Sequence, residues 1–279
     1  MFRKVGIIGC GTIGSELALA IDSGKVKKAS LLLLYDKVEN AAVELKSKLE
    51  NSNTTTFSNF SQFISSSAFA NTDIIVEAAS QDAVRKFAKT IIQSGKDLII
   101  MSVGALTDRD FLHELSDIAS KKEVHIYVPS GAIAGIDAIR SIRHLLKSVT
   151  ISTTKTPKAL AGAPFFEKTR IKPESITKKR LIYEGTARDA VKKFPSNVNV
   201  AAALGLAGVG MDATRVKIIA DPAISVNQHE ITAKGKFGEF KIVLQNTPSP
   251  SNPKTSYLAV LSAVECLRSI TDDNIRIGT

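Results

Sequence analysis

The chain has little cysteine. Cys10 and Cys266 are its only thiols among 279 residues. They stand far apart in apolar settings, so the sequence offers neither a disulfide framework nor a cysteine-based metal signature, and no metal is expected. Such usage suits a reducing compartment, and the cytoplasm is the expected location. A membrane-spanning run is lacking too. The uncharged stretch from Phe194 to Met211 has a proline and two asparagines near its start and many small residues, so it reads as a buried helix. The opening Met-Phe-Arg-Lys superficially imitates a signal peptide. Glycines, the lack of a small-residue cleavage site and an amphipathic helix follow, so no leader is expected. There is no internal repeat and no low-complexity segment.

Acidic residues are under-represented, with 27 Asp or Glu against 37 Lys or Arg and a net charge of +10. The imbalance is concentrated. Residues 151–193 carry eleven basic side chains, Lys155 and Lys158 among them, against four acids. Basic patches can serve nucleic acid. Here aromatics are scarcely interleaved and no binding motif appears, so neither nucleic acid nor a membrane is an expected partner. The expectation is a solvated face with one or two cations recruited to an anionic substrate. Apolar content of 44% and charged content of 23% are those of an ordinary globular protein. The length suits two modest domains or one large one.

What the sequence does have begins at Val5. The apolar run Val5–Ile8 reads as a buried strand, broken at Gly9 and followed after Gly14 by helical spacing through Ile21. Gly9, Gly11 and Gly14 thus form a G-x-G-x-x-G on a strand-to-helix turn, the context that gives this pattern meaning. Gly9 allows the tight turn, Gly11 lets backbone approach a pyrophosphate, and Gly14 lets helix and strand pack closely. With Thr12 and Ile13 they open a helix whose N-terminus favours an anion. Asp36 ends the next strand, 22 residues beyond Gly14. That is close to the spacing of the acid that hydrogen-bonds the adenosine ribose. A carboxylate there suits the free 2′-hydroxyl of NAD; Lys37 beside it can accommodate the 2′-phosphate of NADP. NAD is the expected cofactor and NADP the alternative.

Strand and helix signals then alternate: a helix over 39–50, a strand over 72–80, a helix over 81–94, a strand over 97–104, a helix over 108–120 and a strand over 124–129. Only the polar stretch 51–67 breaks the pattern, reading as a loop or partly ordered helix with no assigned role. This alternation predicts a doubly wound parallel sheet, the Rossmann arrangement, with ligands beyond the carboxyl ends of its strands. Ala78, Ala79 and Ser80, then Ser102 and Val103, fall at those ends beside the cofactor.

Past Pro129 the pattern changes. A small-residue turn, 130–135, leads into a helix over 136–146. Strands follow at 149–154, 181–186, 214–220, 230–233 and 239–245, with an alanine-rich helix over 197–209. Short polar turns between them predict an α+β domain on a mostly antiparallel sheet. A last amphipathic helix over 256–270 is expected to return to the first domain. The predicted division is 1–130, 131–250 and 251–279.

Of four histidines, His113, His125 and His144 suit structural or solvent roles. His229 lies where a proline-interrupted loop enters a strand, a usual setting for catalytic groups. Its chemistry suits proton transfer near neutrality, and equally a satisfied surface histidine. Asn197 and Asn199 precede the small-residue helix as caps or as amide donors to a ligand. Asn252-Pro253-Lys254-Thr255-Ser256 reads as a loop entering the last helix, a turn and cap or a carboxylate site formed by Lys254, Thr255 and Ser256.

The combination resembles the L-aspartate dehydrogenase family. The matching stretches are 9–14, Glu77–Ser80, 102–106, 129–132, Asn197–Ala202, 220–222, Asn227-Gln228-His229-Glu230-Ile231 and 252–256. They span nearly the whole chain, and those of the second half discriminate far better than the glycine loop. The basic loop between Ala159 and Lys179 is least like the family pattern. The resemblance implies NAD(P)-dependent oxidation of L-aspartate to iminoaspartate, then oxaloacetate and ammonia, feeding NAD biosynthesis. It implies that His229 is the active-site residue, that Ala132 and Asn199 touch the cofactor, and that the chain forms a homodimer. Two alternatives stand beside it: another two-domain dehydrogenase or reductase of a small amino or keto acid, and a non-catalytic dinucleotide sensor.

Overall fold

Strand β1 (Arg3–Ile8) runs into helix α1 (Thr12–Asp22) and begins the first of two units in a computed structural model. The structure describes residues 2–195 and 199–271, with the backbone alone for Pro253 and Lys254. The first unit extends to Pro129 and takes up the chain again from Val260; the second runs from Ser130 to Ala259.

In the first unit the elements that follow are β2 (Ala29–Tyr35), α2 (Glu39–Lys46), β3 (Thr55–Phe57), α3 (Phe60–Ser65), α4 (Ser67–Ala70), β4 (Ile74–Glu77), α5 (Gln81–Gln93), β5 (Asp97–Ile100), α6 (Arg109–Lys122) and β6 (Ile126–Tyr127). The strands lie in the order β3-β2-β1-β4-β5-β6, and every pairing is parallel. Helices cover both faces of such a sheet, so β1 and β4 are near-continuous apolar runs; Val5, Ile7, Ile74 and Val76 have no exposed surface. Leu267 of the C-terminal helix (Tyr257–Thr271) joins the same core as Leu17, Leu31 and Leu34. The strand order reverses between β1 and β4. Beyond their carboxyl ends lies the crevice where doubly wound sheets take their ligands.

The polar stretch 51–67, expected as a loop or partly ordered helix, holds the strand β3 and the helix α3. Phe57, Phe60 and Phe63 recur at three-residue spacing among its serines and asparagines. Phe60 and Phe63 pack on Tyr35, and Phe57 packs on Phe63. Phe60 also stacks on Phe87 with ring centroids 3.7 Å apart. Three rings were enough to fold a segment whose average composition is that of a loop.

The second unit contains α7 (Ile136–Ile142), β7 (Leu146–Lys155), α8 (Pro157–Leu160), α9 (Pro164–Glu167), β8 (Arg180–Thr186), α10 (Ala187–Lys193), α11 (Asn199–Ala207), β9 (Thr214–Ala220), β10 (Asn227–Gly235), β11 (Gly238–Asn246), β12 (Pro248–Ser249) and β13 (Asn252–Ser256). Its main sheet is ordered β11-β10-β7-β9-β8. Only β7–β9 is parallel; the other pairings are antiparallel. Two local expectations fail for the same reason. The helix expected to reach Leu146 ends at Ile142, because residues from Leu146 onward pair with β10. The loop expected over 252–256 is β13, paired with β12 in a two-stranded ribbon. In both, long-range pairing overrides the local signal.

Candidate active site

The three glycines of the first turn do three different things. Gly9 has φ 98°, and a Cβ on it would come within 2.7 Å of the Ala78 carbonyl and the Ala79 nitrogen. At Gly14 a Cβ would collide with the Gly9 carbonyl oxygen, so only glycine lets α1 seat on the end of β1. Around Gly11 no atom lies within 4 Å of a Cβ position, so its backbone borders open space. Gly11 is also the N-cap of α1 and supplies no side-chain cap to compete with an incoming anion.

Asp36 follows β2 and is half-buried. One carboxylate oxygen accepts the Cys10 N–H at 2.8 Å and the other the Val38 N–H at 2.9 Å, tying the acid to the glycine turn. Each oxygen keeps a further lone pair for a ribose hydroxyl. A cavity of about 390 Å³ brings together Gly9, Gly11, Asp36, Ala78, Ala79 and Ser80, with Lys37, Lys86 and the rings of Tyr35 and Phe87 on its walls. Its size, open backbone and acid fit the adenosine and pyrophosphate end of a dinucleotide.

Thr12, Ile13, Gly14, Ser102 and Val103 do not line that cavity. Val103 is only 3% exposed. Ser102 serves Glu77, a buried carboxylate that the residue-type reading passed over. Glu77 accepts the N–H groups of Ala79 (2.8 Å), Ser80 (2.9 Å) and Ser102 (3.0 Å) and the Ser102 hydroxyl (2.8 Å). Burial pushes its pKa up, and these four donors oppose that rise. Glu77 thereby joins the loop after β4 to the loop after β5. Ser80 has a local task as well, accepting the Ala83 N–H as the N-cap of α5.

In the second unit the buried face of the sheet turns polar at one end. Side chains alternate along a strand. On β7, Val149 and Ile151 are fully buried and are followed on the same face by Thr153 and Lys155. On β10, Ala233 and Ile231 are fully buried and are followed by His229 and Asn227. Thr153 and His229 are directly paired across the ladder, and Thr153 Oγ1 lies 3.0 Å from His229 Nδ1. His229 is 3% exposed and sits inside β10, so it is neither a loop residue nor a surface histidine. His113, His125 and His144 are exposed.

Burial lowers the His229 pKa from 6.5 to about 3, assisted by the positive charge of Lys155. Burial also pulls Lys155 down from 10.5 to about 8. At neutral pH His229 is therefore an uncharged imidazole beside a cation. Lys155 lines a cavity of about 570 Å³ together with Asn227, Ser225, Pro248 and the segment 158–164. That segment opens the basic loop, and all of it but the buried Leu160 lines the cavity from α8 to the start of α9.

His229 itself is not among this cavity's lining residues, and neither are the other expected ligands. Asn199 is the first residue of α11, and Asn197 lies outside the described residues. Ala132 is buried, with its carbonyl accepting the Asn246 side-chain N–H at 2.8 Å. Thr255 is half-buried. Ser256 pairs with the cavity residue Pro248, and its buried Oγ has no hydrogen-bond partner. The Lys254 side chain lies outside what is described. No described group of His, Cys, Asp or Glu is arranged to hold a metal, and no described helix is long and apolar enough to cross a membrane.

Similarity to known proteins agrees with this division of labour. Residues 137–270 match the family model for the aspartate dehydrogenase C-terminal domain. Residues 9–129 match the NAD-binding domain of homoserine dehydrogenase. An L-aspartate dehydrogenase of Nitrosopumilus maritimus is 46% identical over 99% of this chain and 100% of its own. This chain belongs to the L-aspartate dehydrogenase family. A second member, from Methanococcoides burtonii, is 44% identical over 99% of both chains. The crystal structure of aspartate dehydrogenase from Thermotoga maritima superposes with a TM-score of 0.77 at 27% identity, covering both chains completely. The fold is wider than the family: GenD2 of gentamicin A biosynthesis shares it at 13% identity and a TM-score of 0.57, over 97% of this chain and 86% of its own.

Thr153 and Glu77, the buried partners of expected site residues, carried no signal of their own in the sequence, and Lys155 was legible only as one cation among eleven. A signal for Lys155 did exist. Extending the inward positions Val149, Ile151 and Thr153 by one more step of two puts a lysine on the core face of a strand.

Proposed function

We propose that this chain oxidises L-aspartate with NAD as the oxidant and His229 as the acid/base. The observation that carries the reading is a buried neutral imidazole held at Nδ1 by Thr153, beside a cationic cavity, in a chain of this family. The dinucleotide, when bound, accepts the hydride from the substrate Cα. Gly9, Gly11, Asp36 and Ala78–Ser80 are the residues proposed to hold it, with Asp36 favouring NAD over NADP.

The work of the second unit is to place and deprotonate the amino acid. If Nδ1–H donates to Thr153 Oγ1, Nε2 is left as the free base. It takes a proton from the substrate ammonium as the Cα–N bond becomes an imine, and returns protons as water adds and ammonia leaves. A carboxylate arriving beside Lys155 offsets the positive field that depresses His229, so the base strengthens when substrate is present. Asn199, Lys254, Thr255 and Ser256 are proposed as further substrate contacts, and Ala132 with Asn199 as cofactor contacts. The unpartnered hydroxyl of Ser256 supports its inclusion. The reading also carries a homodimer through the second sheet, measurable by light scattering, and a cytoplasmic location that suits two unpaired cysteines.

The test is His229→Ala, assayed by NADH absorbance with aspartate and, in reverse, with oxaloacetate plus ammonia. The variant should bind NADH normally and lose about 100-fold or more of kcat. Near-normal turnover would remove His229 from the mechanism. A panel of amino acids separates the alternatives: turnover of another acid and not aspartate indicates a different dehydrogenase, and NADH binding without any turnover indicates a sensor.

A further inference from the structure

We propose that Lys155 anchors a carboxylate of the substrate beside His229 and selects dicarboxylic over neutral amino acids. The inference deepens the aspartate reading above and rests on it for the identity of the substrate.

Three observations place Lys155 in this role. It is the last residue of β7, on the same strand face as Thr153, which is directly paired with His229. That places it close enough for its charge to act on the imidazole. It also lines the 570 Å³ cavity, which Asn227 of the neighbouring strand enters from the same face as His229. Finally, the strand positions around it are mostly small or apolar. The inward positions before it are Val149, Ile151 and Thr153, and Ala220 is opposite it on β9. Burial already lowers its pKa to about 8. A cation that lines a cavity beside a neutral imidazole, whose protonation it opposes, is a site in which an anion is favoured.

Ammonium geometry suits this work. Lysine is a compact point charge with three donors, so it attracts a carboxylate without demanding one bidentate orientation. An amino acid with an uncharged side chain would present one carboxylate where aspartate presents two, and would leave the cavity's positive charge less well compensated. Discrimination then follows from the electrostatics of one half-buried position.

The test compares Lys155→Met and Lys155→Arg with the unaltered chain, and uses Lys147→Met, exposed near the other end of β7, as a charge-removal control. Lys155→Met should raise KM for L-aspartate by about 50-fold or more, weaken succinate binding measured by titration calorimetry to a similar degree, and leave the NADH Kd within about twofold. Lys155→Arg should recover part of the succinate affinity, and Lys147→Met should change neither quantity. Unchanged succinate affinity in a Lys155→Met protein that still binds NADH overturns the proposal. So does a loss of NADH binding as large as the loss of succinate binding, which would mark a structural role. Succinate binding is read without turnover, so the Lys155 result stands apart from the aspartate reading. An unaltered chain inactive on aspartate defeats that reading, while dicarboxylate affinity still reports on the lysine.

Discussion

Thr153 Oγ1 meets His229 Nδ1 at 3.0 Å across the β7–β10 ladder, with both side chains buried. This hydrogen bond fixes which nitrogen of the imidazole is engaged, and so which faces the chemistry. Thr153→Val removes the hydroxyl while keeping the shape, which leaves Nδ1 buried and unsatisfied or lets the ring turn. We expect kcat to fall by about 10- to 100-fold with KM for aspartate changed little. Thr153→Ser should stay close to the native rate because the hydroxyl remains. Steady-state kinetics on the pair checks this. Equal losses in both variants would mean that packing of the methyl group, and not the hydrogen bond, matters.

The glycines give a second, differential prediction. Gly14→Ala drives a methyl group into the Gly9 carbonyl, so it should cost several kcal/mol, about 3 or more, and lower Tm by many degrees. At Gly11 the same change meets open space at φ −73°, an ordinary value for alanine. Gly11→Ala should therefore leave stability within about 0.5 kcal/mol and still weaken NADH binding, because the space it fills is the space the pyrophosphate needs. Thermal unfolding and NADH fluorescence titration separate the two. Unchanged NADH affinity in Gly11→Ala would move the pyrophosphate off this turn.

How far the sequence revealed the molecule depended on the range of the forces involved. The Rossmann half was legible because its signals are local: glycines at a strand-to-helix turn, buried runs, and an acid at a strand end. The family's second-half motifs likewise drew attention to His229. What stayed hidden was set by partners distant in sequence. Thr153 is an ordinary threonine until β10, 76 residues later, places His229 opposite it. Glu77 looks like any strand-end acid until Ser102 arrives from the loop after the next strand. The segment 252–256 resembled a loop because only its pairing with β12 makes it a strand. Periodicity identified elements, and register assembled the site.

Cofactor choice gives a third prediction. Asp36 places a negative charge at the adenosine end of the crevice, with Lys37 and Lys86 on the same cavity wall. Asp36→Ser removes the charge and retains a small polar group near the Cys10 and Val38 N–H groups. NAD affinity should fall by about tenfold while NADP affinity rises, since the two lysines then face a 2′-phosphate with Asp82 as the one carboxylate left in the lining. The ratio of kcat/KM for the two cofactors measures it. A ratio unaffected by the substitution would show that the ribose is read elsewhere.

The depressed pKa values of His229 and Lys155 predict opposite ends of a stability profile. For His229 the folded value is about 3 and the unfolded value 6.5, so between those limits the unfolded chain binds more protons. Stability from this residue is fully present above pH 6.5 and is lost as pH falls toward 3. The loss amounts to a few kcal/mol, because each tenfold difference in proton affinity between the folded and unfolded chains is worth roughly 1.4 kcal/mol. His229→Asn should flatten that acid limb in urea unfolding. Lys155 has a folded value of about 8 against 10.5, so the cost of its desolvated charge is present at neutral pH and disappears as pH rises from 8 to 10.5. Lys155→Met should accordingly unfold at a higher temperature than the native chain at neutral pH, with the gap closing above pH 10.5. A protein that becomes more stable when it loses its substrate anchor has kept a strained charge for function. A lower Tm for Lys155→Met at neutral pH would instead make the lysine a structural element of β7.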